Sequence, residues 1–367
     1  MDLKYLFKPS TMAVIGVSTS QDNHPANVIY NKNNLRYPVK TFPVNPKGGI
    51  LNRETLYQSV GHIKDEIDMA VIAVRAEYVP MVVEQCIKKN IKGAVIISGG
   101  FAEVGNLKLQ KRLVDMAKEA CFPFIGPNCL GIYAPDHVDT FFLPGERIIR
   151  PDKGNIGFVS QSGGVLVDQM VKFAGQGIGV SLGVSIGNKA YIRETDMLDW
   201  FDQDPGTKAI AFYIEGFEKK EGRKFIQRAE QCSKPVVVLK AGKSKKGIEA
   251  VSSHTASLAG DYRVFQEIMK QHCVAEADNE YEFTSFCEAL SCYPRGIIGN
   301  VGIISLSGGH GVIAADACEL HGLSLPKIDT KTMDTIKEKL SSGVRDIVSL
   351  VNPMDLTGSS QDSDIVT

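Results

Sequence analysis

The stretch Ile156-Gly157-Phe158-Val159-Ser160-Gln161-Ser162-Gly163-Gly164 is an apolar run that ends in small and hydroxyl-bearing residues. A longer apolar segment, residues 165–173, follows it directly. The short run predicts a buried strand and the longer segment predicts a helix. Similar short runs recur with helical patterns between them, and the predicted strands are residues 156–160, 179–184, 209–214 and 235–240. Strands that alternate with helices predict an α/β fold, a parallel sheet covered on both faces.

The first part of the chain shows the same alternation. Its predicted strands are residues 12–17, 39–44, 69–74 and 94–98. Between the last two, Val79, Val82, Val83 and Ile87 recur at helical spacing. This order predicts a Rossmann-like domain, whose ligands bind beyond the carboxyl ends of the strands. The loops that we expect to face a ligand are residues 16–21, 45–49, 74–77, 98–103 and 126–131.

Residues 143–154 are rich in proline, glycine and charge, which predicts a linker. An internal repeat follows, because Val301-Gly302-Ile303-Ile304-Ser305-Leu306-Ser307-Gly308-Gly309 has the pattern of residues 156–164. The predicted organisation is a Rossmann-like domain over 1–142, a linker over 143–154, a doubly wound parallel-sheet domain over 155–294 and the start of a second such domain, incomplete, over 295–367.

Composition excludes several classes of protein. The 367 residues are 43% hydrophobic, and 41 basic against 42 acidic side chains leave a net charge of −1. This balance does not call for nucleic acid or an anionic membrane as a partner. The eight cysteines form no CxxC pair and no zinc-like spacing, which indicates reduced thiols and no metal site. The N-terminus lacks the features of a signal peptide and no apolar run approaches the ~18 residues of a membrane span, so we expect a soluble, cytoplasmic protein.

His254 lies in the run Val251-Ser252-Ser253-His254-Thr255-Ala256-Ser257-Leu258-Ala259-Gly260, where small neighbours leave its ring no packing role. An imidazole nitrogen that is unprotonated near pH 7 is both a nucleophile and a leaving group. His254 is therefore a candidate covalent carrier, and a loop histidine without chemistry is the alternative. We expect the glycine-containing segment 241–260 to be a mobile loop whose lysines face solvent.

Hydroxyl groups and free backbone N–H groups meet where the predicted strand 156–160 gives way to a helix. Ser160, Ser162 and Gly163 lie there, and a helix N-terminus attracts anions. An ordinary serine N-cap is the alternative, whereas a hydrolase nucleophile elbow would need glycine in place of Ser160. Glu215 ends the strand 209–214 on the same sheet edge, where its carboxylate would accept the ring N–H of His254. A plain turn glutamate is the alternative for Glu215.

The first domain lacks a dinucleotide fingerprint. Gly16 is the one glycine of the GxGxxG pattern that is present, and the second strand is followed by Asn45-Pro46-Lys47 rather than by an acidic residue. A lysine suits a phosphate group, so a ligand with a phosphorylated ribose and a pyrophosphate fits better than NAD. Coenzyme A and NADP both meet this description, and an exposed turn lysine is the alternative for Lys47.

These motifs resemble the nucleoside-diphosphate-forming acyl-CoA synthetases, also called ADP-forming acetate–CoA ligases, of the succinyl-CoA synthetase superfamily. The resemblance is to the alpha subunit or alpha-like region and spans almost the whole chain. Residues 252–260 are similar to the family's phosphohistidine loop and residues 159–164 to its phosphate-binding helix. Gly126-Pro127-Asn128-Cys129-Leu130-Gly131 is similar to the end of its CoA-binding domain, and Asn352-Pro353-Met354-Asp355-Leu356-Thr357 to a motif of its third domain. The fold implied is a Rossmann-like CoA-binding domain followed by flavodoxin-like doubly wound domains.

The resemblance also implies a reaction. Acyl-CoA and phosphate would give acyl phosphate and CoA, His254 would take the phosphoryl group, and a mobile loop would carry it to ADP in an ATP-grasp module. Catalysis is thereby assigned to His254 and Glu215, and phosphate binding to Ser160, Ser162 and Gly163. Coenzyme A binding is assigned to Gly16, Ser18, Thr19, Ser20, Gln21, Lys47, Val74, Arg75, Ser98, Gly99, Gly100 and Asn128.

The chain departs from the family pattern in three ways. Ala256 stands where the family's histidine loop has glycine, and Asp22-Asn23-His24 replaces the glycines usual in the first CoA loop. No ATP-grasp sequence is present, so ATP, ADP and Mg²⁺ would bind to a beta subunit or a fused domain, in a hetero-oligomer or a homodimer. The alternatives to the ligase are a CoA-binding regulatory module of a protein acyltransferase and an NADP-dependent oxidoreductase. The carboxylic acid is not readable, but its pocket is expected around Val165, Val167, Gly187 and Asn188.

Overall fold

The computed structural model describes residues 2–144, 148–254, 261–294 and 299–366, except for the side chains of residues 252–254. The chain forms two compact units, Met1–Arg295 and Gly296–Thr367. Two large sheets and a short hairpin belong to the first unit, and a two-stranded sheet belongs to the second. Within the described ranges, no helix has both the length and the apolar content that a membrane crossing requires.

A five-stranded parallel sheet begins the first unit. Its order is β2-β1-β5-β6-β7, and β3 and β4 form the separate hairpin. This order places a ligand crevice at the carboxyl ends of β1 and β5, where the direction of winding reverses. The helices and strands are α1 (Lys4–Phe7), β1 (Thr11–Ile15), α2 (Pro25–Arg36), β2 (Lys40–Val44), β3 (Gly49–Leu51), β4 (Glu54–Leu56), β5 (Met69–Ile72), α3 (Val79–Lys88), β6 (Gly93–Ile96), α4 (Leu107–Glu119) and β7 (Phe124–Ile125), with 3-10 turns at Val60–His62, Ala76–Tyr78 and Ala102–Val104.

Several strands end before the apolar run that predicted them. β1 ends at Ile15, although Val17 was included in the predicted strand. Gly16 turns the chain with a φ of 104°, and Val17 beyond it is still fully buried. An apolar residue in a buried loop therefore looks like a strand residue in the sequence, which extends the predicted end by two positions.

A seven-stranded sheet forms the rest of the first unit, in the order β14-β13-β12-β10-β11-β8-β9. The five strands from β10 onward are parallel, and their winding reverses between β10 and β12. Both sheets thus confirm the predicted doubly wound α/β fold. The helices and strands are β8 (Gly131–Ala134), β9 (Val138–Asp139), β10 (Lys153–Ser160), α5 (Gly163–Gly175), β11 (Val180–Ser185), α6 (Glu194–Gln203), β12 (Ala209–Ile214), α7 (Glu221–Gln231), β13 (Val236–Lys240), α8 (Lys245–His254), α9 (Tyr262–Gln271), β14 (Ala275–Ala277) and α10 (Glu280–Cys292).

The second sheet begins before the predicted domain boundary at residue 142, because two strands ahead of that boundary belong to it. β8 pairs antiparallel with β11, and β9 pairs with β8, so residues 131–139 belong to the second sheet. β10 begins at Lys153, inside the predicted linker 143–154. Strands of four and two residues carry too few positions for a periodic signal, so the sequence does not reveal this hairpin.

The expectation of a loop over residues 241–260 is wrong for its central part, because Lys245–His254 is the helix α8. The side chain of Ser244 accepts a hydrogen bond from Gly247 N at 3.1 Å, which satisfies a free N–H of the first turn. Val251 is buried and Ile248 is half-buried, so the helix has an apolar side after all. Its glycine and its run of lysines hid the helix in the sequence.

The second unit is small. Its helices and strands are β15 (Ile304–Ser305), α11 (Gly308–Leu320), α12 (Thr330–Lys339), α13 (Ser342–Arg345), β16 (Met354–Asp355) and α14 (Asp362–Ile365). β15 and β16 pair in parallel, and the buried core is a cluster of Leu340, Met354 and Leu356. The predicted strand over residues 301–305 is present only at its last two positions.

Candidate active site

A cavity of about 610 Å³ opens in the first unit at the carboxyl ends of β10 and β12, where the winding reverses. Of the predicted pocket residues, Val167, Gly187 and Asn188 line it, whereas Val165 is not part of the lining. The wall combines apolar and polar side chains, which is typical of a small-molecule site. It consists of Ile97, Asn128, Cys129, Leu130, Phe142, Leu143, Gln161, Ser162, Gly163, Gly164, Val167, Asp168, Val171, Gly187, Asn188 and Glu215.

The N-terminus of α5 lies in this wall. Ser162 is the N-cap residue, and its Oγ accepts a hydrogen bond from Val165 N at 3.3 Å. The N–H groups of Gly163 and Gly164 belong to the first helical turn, which has no intrahelical partners for them. Together with the Ser162 hydroxyl proton and the positive end of the helix dipole, these groups suit an anion such as phosphate.

Ser160 was assigned to phosphate binding, but its hydrogen bonds place it in a different role. It is completely buried, its Oγ donates to Ser162 O at 2.6 Å, and the same Oγ accepts from Ser162 N at 3.1 Å. The single hydroxyl proton is therefore used inside the chain. Ser160 shapes the turn that presents Ser162 and Gly163, and it has no donor left for a ligand.

Glu215 follows β12, is 6% exposed and lines the same cavity. The Gln161 side chain holds its turn, since Oε1 accepts from Glu215 N at 2.8 Å and from Gly216 N at 3.2 Å. Nε2 of Gln161 donates to Gly216 O at 2.9 Å. Burial, and then the neighbouring Glu215 carboxylate, raise the pKa of Tyr213 above its usual range. The turn of residues 160–162 and the Glu215–Gly216 turn are thus joined through one buried amide.

Two buried lysines complete the support of this turn. Lys240 Nζ donates to Glu215 O at 2.7 Å and also to Ala241 O, and Lys189 Nζ donates to Gly216 O at 2.5 Å. Lys189 also forms an ion pair with Glu194 at 2.6 Å. Burial lowers the pKa of Lys240 to about 8 although the nearby acidic groups raise it. The sequence reasoning missed both lysines and Gln161, and the one available signal was a lysine at the end of the apolar strand β13.

His254 is the last residue of α8, which follows β13 at the carboxyl edge of the second sheet. Ile214 and Lys240 are paired at the ends of β12 and β13, so α8 starts from the strand beside the one that carries Glu215. The side chain of His254 and the remainder of its motif, residues 255–260, lie outside the described residues. The predicted contact between His254 and Glu215 therefore stays a prediction.

The first loop of the first sheet is held together by its own side chains. Ser18 Oγ accepts from Ser20 N at 3.2 Å and from Gln21 N at 3.0 Å. Asn27, at the start of α2, accepts from Ser18 N at 2.6 Å and donates to Ser18 O at 2.9 Å. Thr19, Ser20 and Gln21 are exposed. A compact, exposed loop is thus present even though the family's usual glycines are replaced in this chain.

The two basic residues assigned to coenzyme A are exposed at the same edge of the first sheet. Lys47 lies in the turn after β2, where its backbone N–H donates to Asn45 Oδ1 at 2.9 Å. Asn45 Nδ2 donates in turn to Val17 O at 2.7 Å. Asn45 follows β2, where a dinucleotide site has an acidic residue, and here it supports the loop after β1. The side chain of Arg75, which follows Val74 after β5, is 82% exposed. Both side chains are exposed to solvent, and Arg75 forms an ion pair with Glu77 at 4.0 Å.

Ser98, Gly99 and Gly100 follow β6, and Glu103 fixes their loop. The Glu103 carboxylate accepts from the N–H groups of Gly100 and Phe101 and from Asn188 Nδ2, the last at 2.5 Å. Burial opposes its ionisation, but these hydrogen bonds hold the pKa of Glu103 below its usual range.

Asn188 connects the edges of the two sheets. Asn128 Nδ2 donates to Asn188 Oδ1 at 3.3 Å, and both residues line the cavity. Of the twelve residues assigned to coenzyme A, Asn128 is in the cavity wall, and the others belong to the loops of the first sheet. Among the described residues, no group of three or more His, Cys, Asp or Glu side chains is placed to hold a metal ion.

Comparisons with known proteins agree with this architecture. Residues 10–135 match the family model for a CoA binding domain, and residues 153–290 match that for a succinyl-CoA ligase-like flavodoxin domain. Fold and family models thus define a protein that combines a domain of the CoA binding family with a succinyl-CoA ligase-like flavodoxin domain. The chain belongs to the family of the ADP-forming acetate–CoA ligases.

The similarity to individual relatives covers nearly the whole chain. An ADP-forming acetate–CoA ligase I of Archaeoglobus fulgidus is 38% identical over 97% of the chain and 51% of its own length. The ligase I alpha subunit of Pyrococcus furiosus is 38% identical over 98% of the chain and 77% of its own length. A structure from Ca. Korarchaeum cryptofilum, an acetyl-coenzyme A synthetase in complex with phosphate and ADP, is 34% identical, with a TM-score of 0.85 over 97% of the chain and 76% of its own. The chain thus spans about half the length of the first of these relatives.

Proposed function

We propose that the chain is the acyl-transferring and phosphoryl-carrying part of an ADP-forming acid–CoA ligase, which forms a carbon–sulfur bond in the direction of acyl-CoA synthesis. The observation that carries the proposal is one cavity whose wall contains the start of α5, the Glu215 turn and Asn128. Coenzyme A bound along the first sheet would bring its thioester past Asn128 into this cavity. Phosphate at the helix start would then meet the thioester carbonyl.

The first step is acyl transfer to phosphate. A phosphate oxygen, held by the N–H groups of Gly163 and Gly164 and by the Ser162 hydroxyl, attacks the thioester carbon. The carbon–sulfur bond breaks, CoA leaves as a thiolate that takes up a proton, and acyl phosphate remains. The helix dipole favours the anion throughout this step.

The second step loads His254. Its unprotonated ring nitrogen attacks phosphorus, the phosphorus–oxygen bond to the acyl group breaks, and the acid leaves as a carboxylate. The Glu215 carboxylate would accept the N–H of the other ring nitrogen and stabilise the positive charge that develops on the ring. Gln161, Lys189 and Lys240 keep Glu215 in place through its backbone. Each step is reversible, so phosphohistidine, acid and CoA also give acyl-CoA and free phosphate.

The phosphoryl group then passes to ADP in an ATP-grasp module that binds the nucleotide and Mg²⁺. We place this module on a beta subunit or in a fused domain, in either case within a hetero-oligomer or a homodimer. Support comes from the relatives, of which one is named as a separate alpha subunit and another is about twice as long as the matched region. Because CoA and ADP are cytoplasmic metabolites, we place the reaction in the cytoplasm.

The test is phosphorylation of the purified chain by radioactive phosphate and acyl-CoA, without nucleotide. We expect one acid-labile, base-stable phosphate per chain, and we expect His254→Asn to abolish it. His310→Asn, in the second unit, is the matched control and should label normally. Label that survived His254→Asn would exclude His254 as the carrier. No label despite CoA binding in a calorimetric titration would favour a regulatory module, and NADP binding in place of CoA would favour an oxidoreductase.

A further inference from the structure

Glu276 is a buried carboxylate that the proposed reaction does not use. It is the middle residue of β14, paired with Val238 of β13, and its side chain is 9% exposed. Both carboxylate oxygens are inaccessible, and neither forms a hydrogen bond with another described residue. A buried charge without hydrogen bonds is costly unless cations lie close to it. The groups around Glu276 therefore determine its role.

Lys243 is a cation beside Glu276, and it lies just before α8. Its Nζ is 3.6 Å from Glu276 Oε1 and 3.2 Å from Asp278 Oδ1, and it donates to Ala277 O at 3.1 Å. Burial lowers the pKa of Lys243, but its neighbours Tyr262 and Asp278 hold that pKa above its usual value. Lys243 is therefore charged at neutral pH, and it attaches the chain before α8 to β14.

Tyr262 is the first residue of α9, and it lies beside the same two side chains. Lys243 Nζ is 5.3 Å from the centroid of the Tyr262 ring, which is a cation–π distance. Burial, and then the Glu276 carboxylate, raise the pKa of Tyr262, whereas Lys243 lowers it. The two ends of the His254 segment, by which we mean residues 244–261, therefore meet at Glu276.

Glu276 also interacts with Lys240, which supports the Glu215 turn. Burial lowers the pKa of Lys240 to about 8, and the carboxylates of Glu215 and Glu276 oppose this shift. Lys240 Nζ donates to Glu215 O at 2.7 Å and lies 5.8 Å from the centroid of the Phe265 ring on α9. One carboxylate thus interacts both with the lysine that holds the Glu215 turn and with the residues at the ends of the His254 segment.

The length of α8 makes the attachment of its start important. From Lys245 to His254 the helix rises roughly 14 Å, at about 1.5 Å per residue, so a tilt of roughly 5° at its start moves its far end by about 1 Å. A shift of about 1 Å in a reacting group can lower a rate roughly 100-fold. The contacts of Lys243 therefore influence where His254 lies.

We propose that Glu276 is a positioning residue for phosphorylation of His254, because it holds both ends of the His254 segment beside the lysine that holds Glu215. This inference rests on the proposed ligase function. Glu276 is not part of the cavity wall. It acts on the second step, through Lys243 and Tyr262, whereas acyl transfer between CoA and phosphate takes place in the cavity without it.

The experiment separates the two steps on the full chain, with acetyl phosphate as the substrate of both. Conversion of acetyl phosphate and CoA to acetyl-CoA and phosphate measures the first step in reverse, and labelling by radioactive acetyl phosphate measures the second. We expect Glu276→Gln to lower the maximal labelling rate by at least roughly tenfold. The half-saturating acetyl phosphate concentration and the rate of acetyl-CoA formation should stay within about threefold of the wild type, because the cavity is intact. Glu276→Asp keeps the charge and should restore labelling to within about threefold of the wild type.

Lys243→Met tests the contact itself. Alone it should lower the labelling rate to a similar degree. The double variant Glu276→Gln/Lys243→Met should label no more slowly than the slower of the two single variants, because both substitutions remove the same contact. Losses that multiplied in the double variant would show that the two residues act separately, and this would overturn the inference.

Glu249→Gln is the matched control, because Glu249 pairs with Lys246 at 2.8 Å on the exposed side of α8. It should leave the rates of both steps unchanged. A labelling rate of Glu276→Gln equal to that of the wild type, or an equal fall in both steps, would contradict the inference and leave the ligase function intact. Absence of labelling in the wild type would count against the proposed function, and this inference would fall with it.

Discussion

At the scale of single residues, the Glu215–Gly216 turn is unusual because side chains bind all four of its backbone polar groups. Gln161 binds both N–H groups and one carbonyl, and Lys240 and Lys189 bind the carbonyls. Gln161, Lys189 and Lys240 are each less than 10% exposed. A turn satisfied in this way has little freedom to tilt, so the direction of the Glu215 side chain is set before any ligand binds.

Gln161→Leu tests whether phosphate labelling depends on the position of the Glu215 side chain as well as on its presence. The change leaves two buried N–H groups without an acceptor, so we expect the free energy of unfolding to fall by about 2–4 kcal/mol. Glu215 would remain but would shift, and the rate of phosphate labelling should fall roughly 10- to 100-fold. Urea unfolding followed by the fluorescence of Trp200, the only tryptophan, measures the first effect. Labelling under native conditions, normalised to folded protein, measures the second.

Gln169→Leu is the control for this prediction. Gln169 lies on α5, is 1% exposed and donates to Thr284 Oγ1, away from the Glu215 turn. The change leaves no buried N–H without an acceptor, because Thr284 Oγ1 still donates to Glu280 O, so it should cost less stability and keep the labelling rate of the wild type. Equal labelling rates in both glutamine variants would show that Gln161 acts on stability alone.

The sequence identifies site residues that strand topology places, and it misses those that act through contacts with a distant part of the backbone. Ser162 and Glu215 follow predicted strands at one predicted sheet edge, so topology brings them to one cavity, whereas Asn128 reaches that cavity from a loop of the first sheet. Gln161 and Lys240 act through contacts with the backbone of another strand, and no spacing in the sequence encodes such a pair. Ser160 carries the right functional group, but only its hydrogen bonds reveal that the group is already occupied.

At the scale of elements, the connection after β1 depends on a close approach to its neighbour. Gly16 has a φ of 104°, and a Cβ added there would lie 2.3 Å from Ala73 O. Gly16 N donates to Val44 O, and Ala73 N donates to Ile15 O, so the residue sits between the ends of three strands. Glycine is required here both by conformation and by space.

Gly16→Ala should therefore disturb the edge of the first sheet. We expect the free energy of unfolding to fall by about 2–4 kcal/mol, since the side chain meets a backbone oxygen that cannot move alone. CoA affinity should fall by at least roughly tenfold, because the loop with Ser18 begins at this point. Differential scanning calorimetry and titration calorimetry with CoA measure the two effects.

Gly105→Ala provides the comparison, because Gly105 has a φ of 83° but no atom within 4 Å of an added Cβ. It should cost about 1–2 kcal/mol of backbone strain and leave CoA affinity unchanged. If both variants lost CoA affinity to the same degree, strain alone rather than the contact with Ala73 would explain the role of Gly16.

Whether the sequence revealed a strand or helix depended on the length of that element and on how much of its surface is buried. The long parallel strands are buried on both faces and gave continuous apolar runs, and β12 has the predicted bounds of residues 209–214. The hairpin of β8 and β9 is too short for such a signal, and the lysine-rich surface of α8 concealed its buried side. Several predicted strands end too late in the chain, because buried loop residues such as Val17 are as apolar as the strand residues before them.

At the scale of the whole molecule, each compact unit contains the same strand–turn–helix design. In the second unit, Ser305 Oγ donates to Ser307 O at 2.8 Å and accepts from Ser307 N at 3.0 Å, as Ser160 does with Ser162. The predicted internal repeat therefore extends to individual hydrogen bonds. The surroundings differ, because a Cβ at Gly308 would lie 2.8 Å from the Asp355 carboxylate. A carboxylate this close to the start of α11 repels a bound anion, since like charges repel each other.

Equivalent serine substitutions in the two turns should consequently have different effects. Ser162→Ala would remove the hydrogen bond that we propose Ser162 donates to phosphate, typically about 1.5–3 kcal/mol for a charged ligand, so KM for phosphate in the labelling reaction should rise roughly 10- to 100-fold. It also removes the cap of α5, whereas Ser307 makes no side-chain cap bond with α11. Ser307→Ala should thus leave both KM and the thermal midpoint close to the wild type. An equal rise of KM in the two variants would mean that the repeated turn binds phosphate in both units, and that the Asp355 carboxylate does not distinguish them.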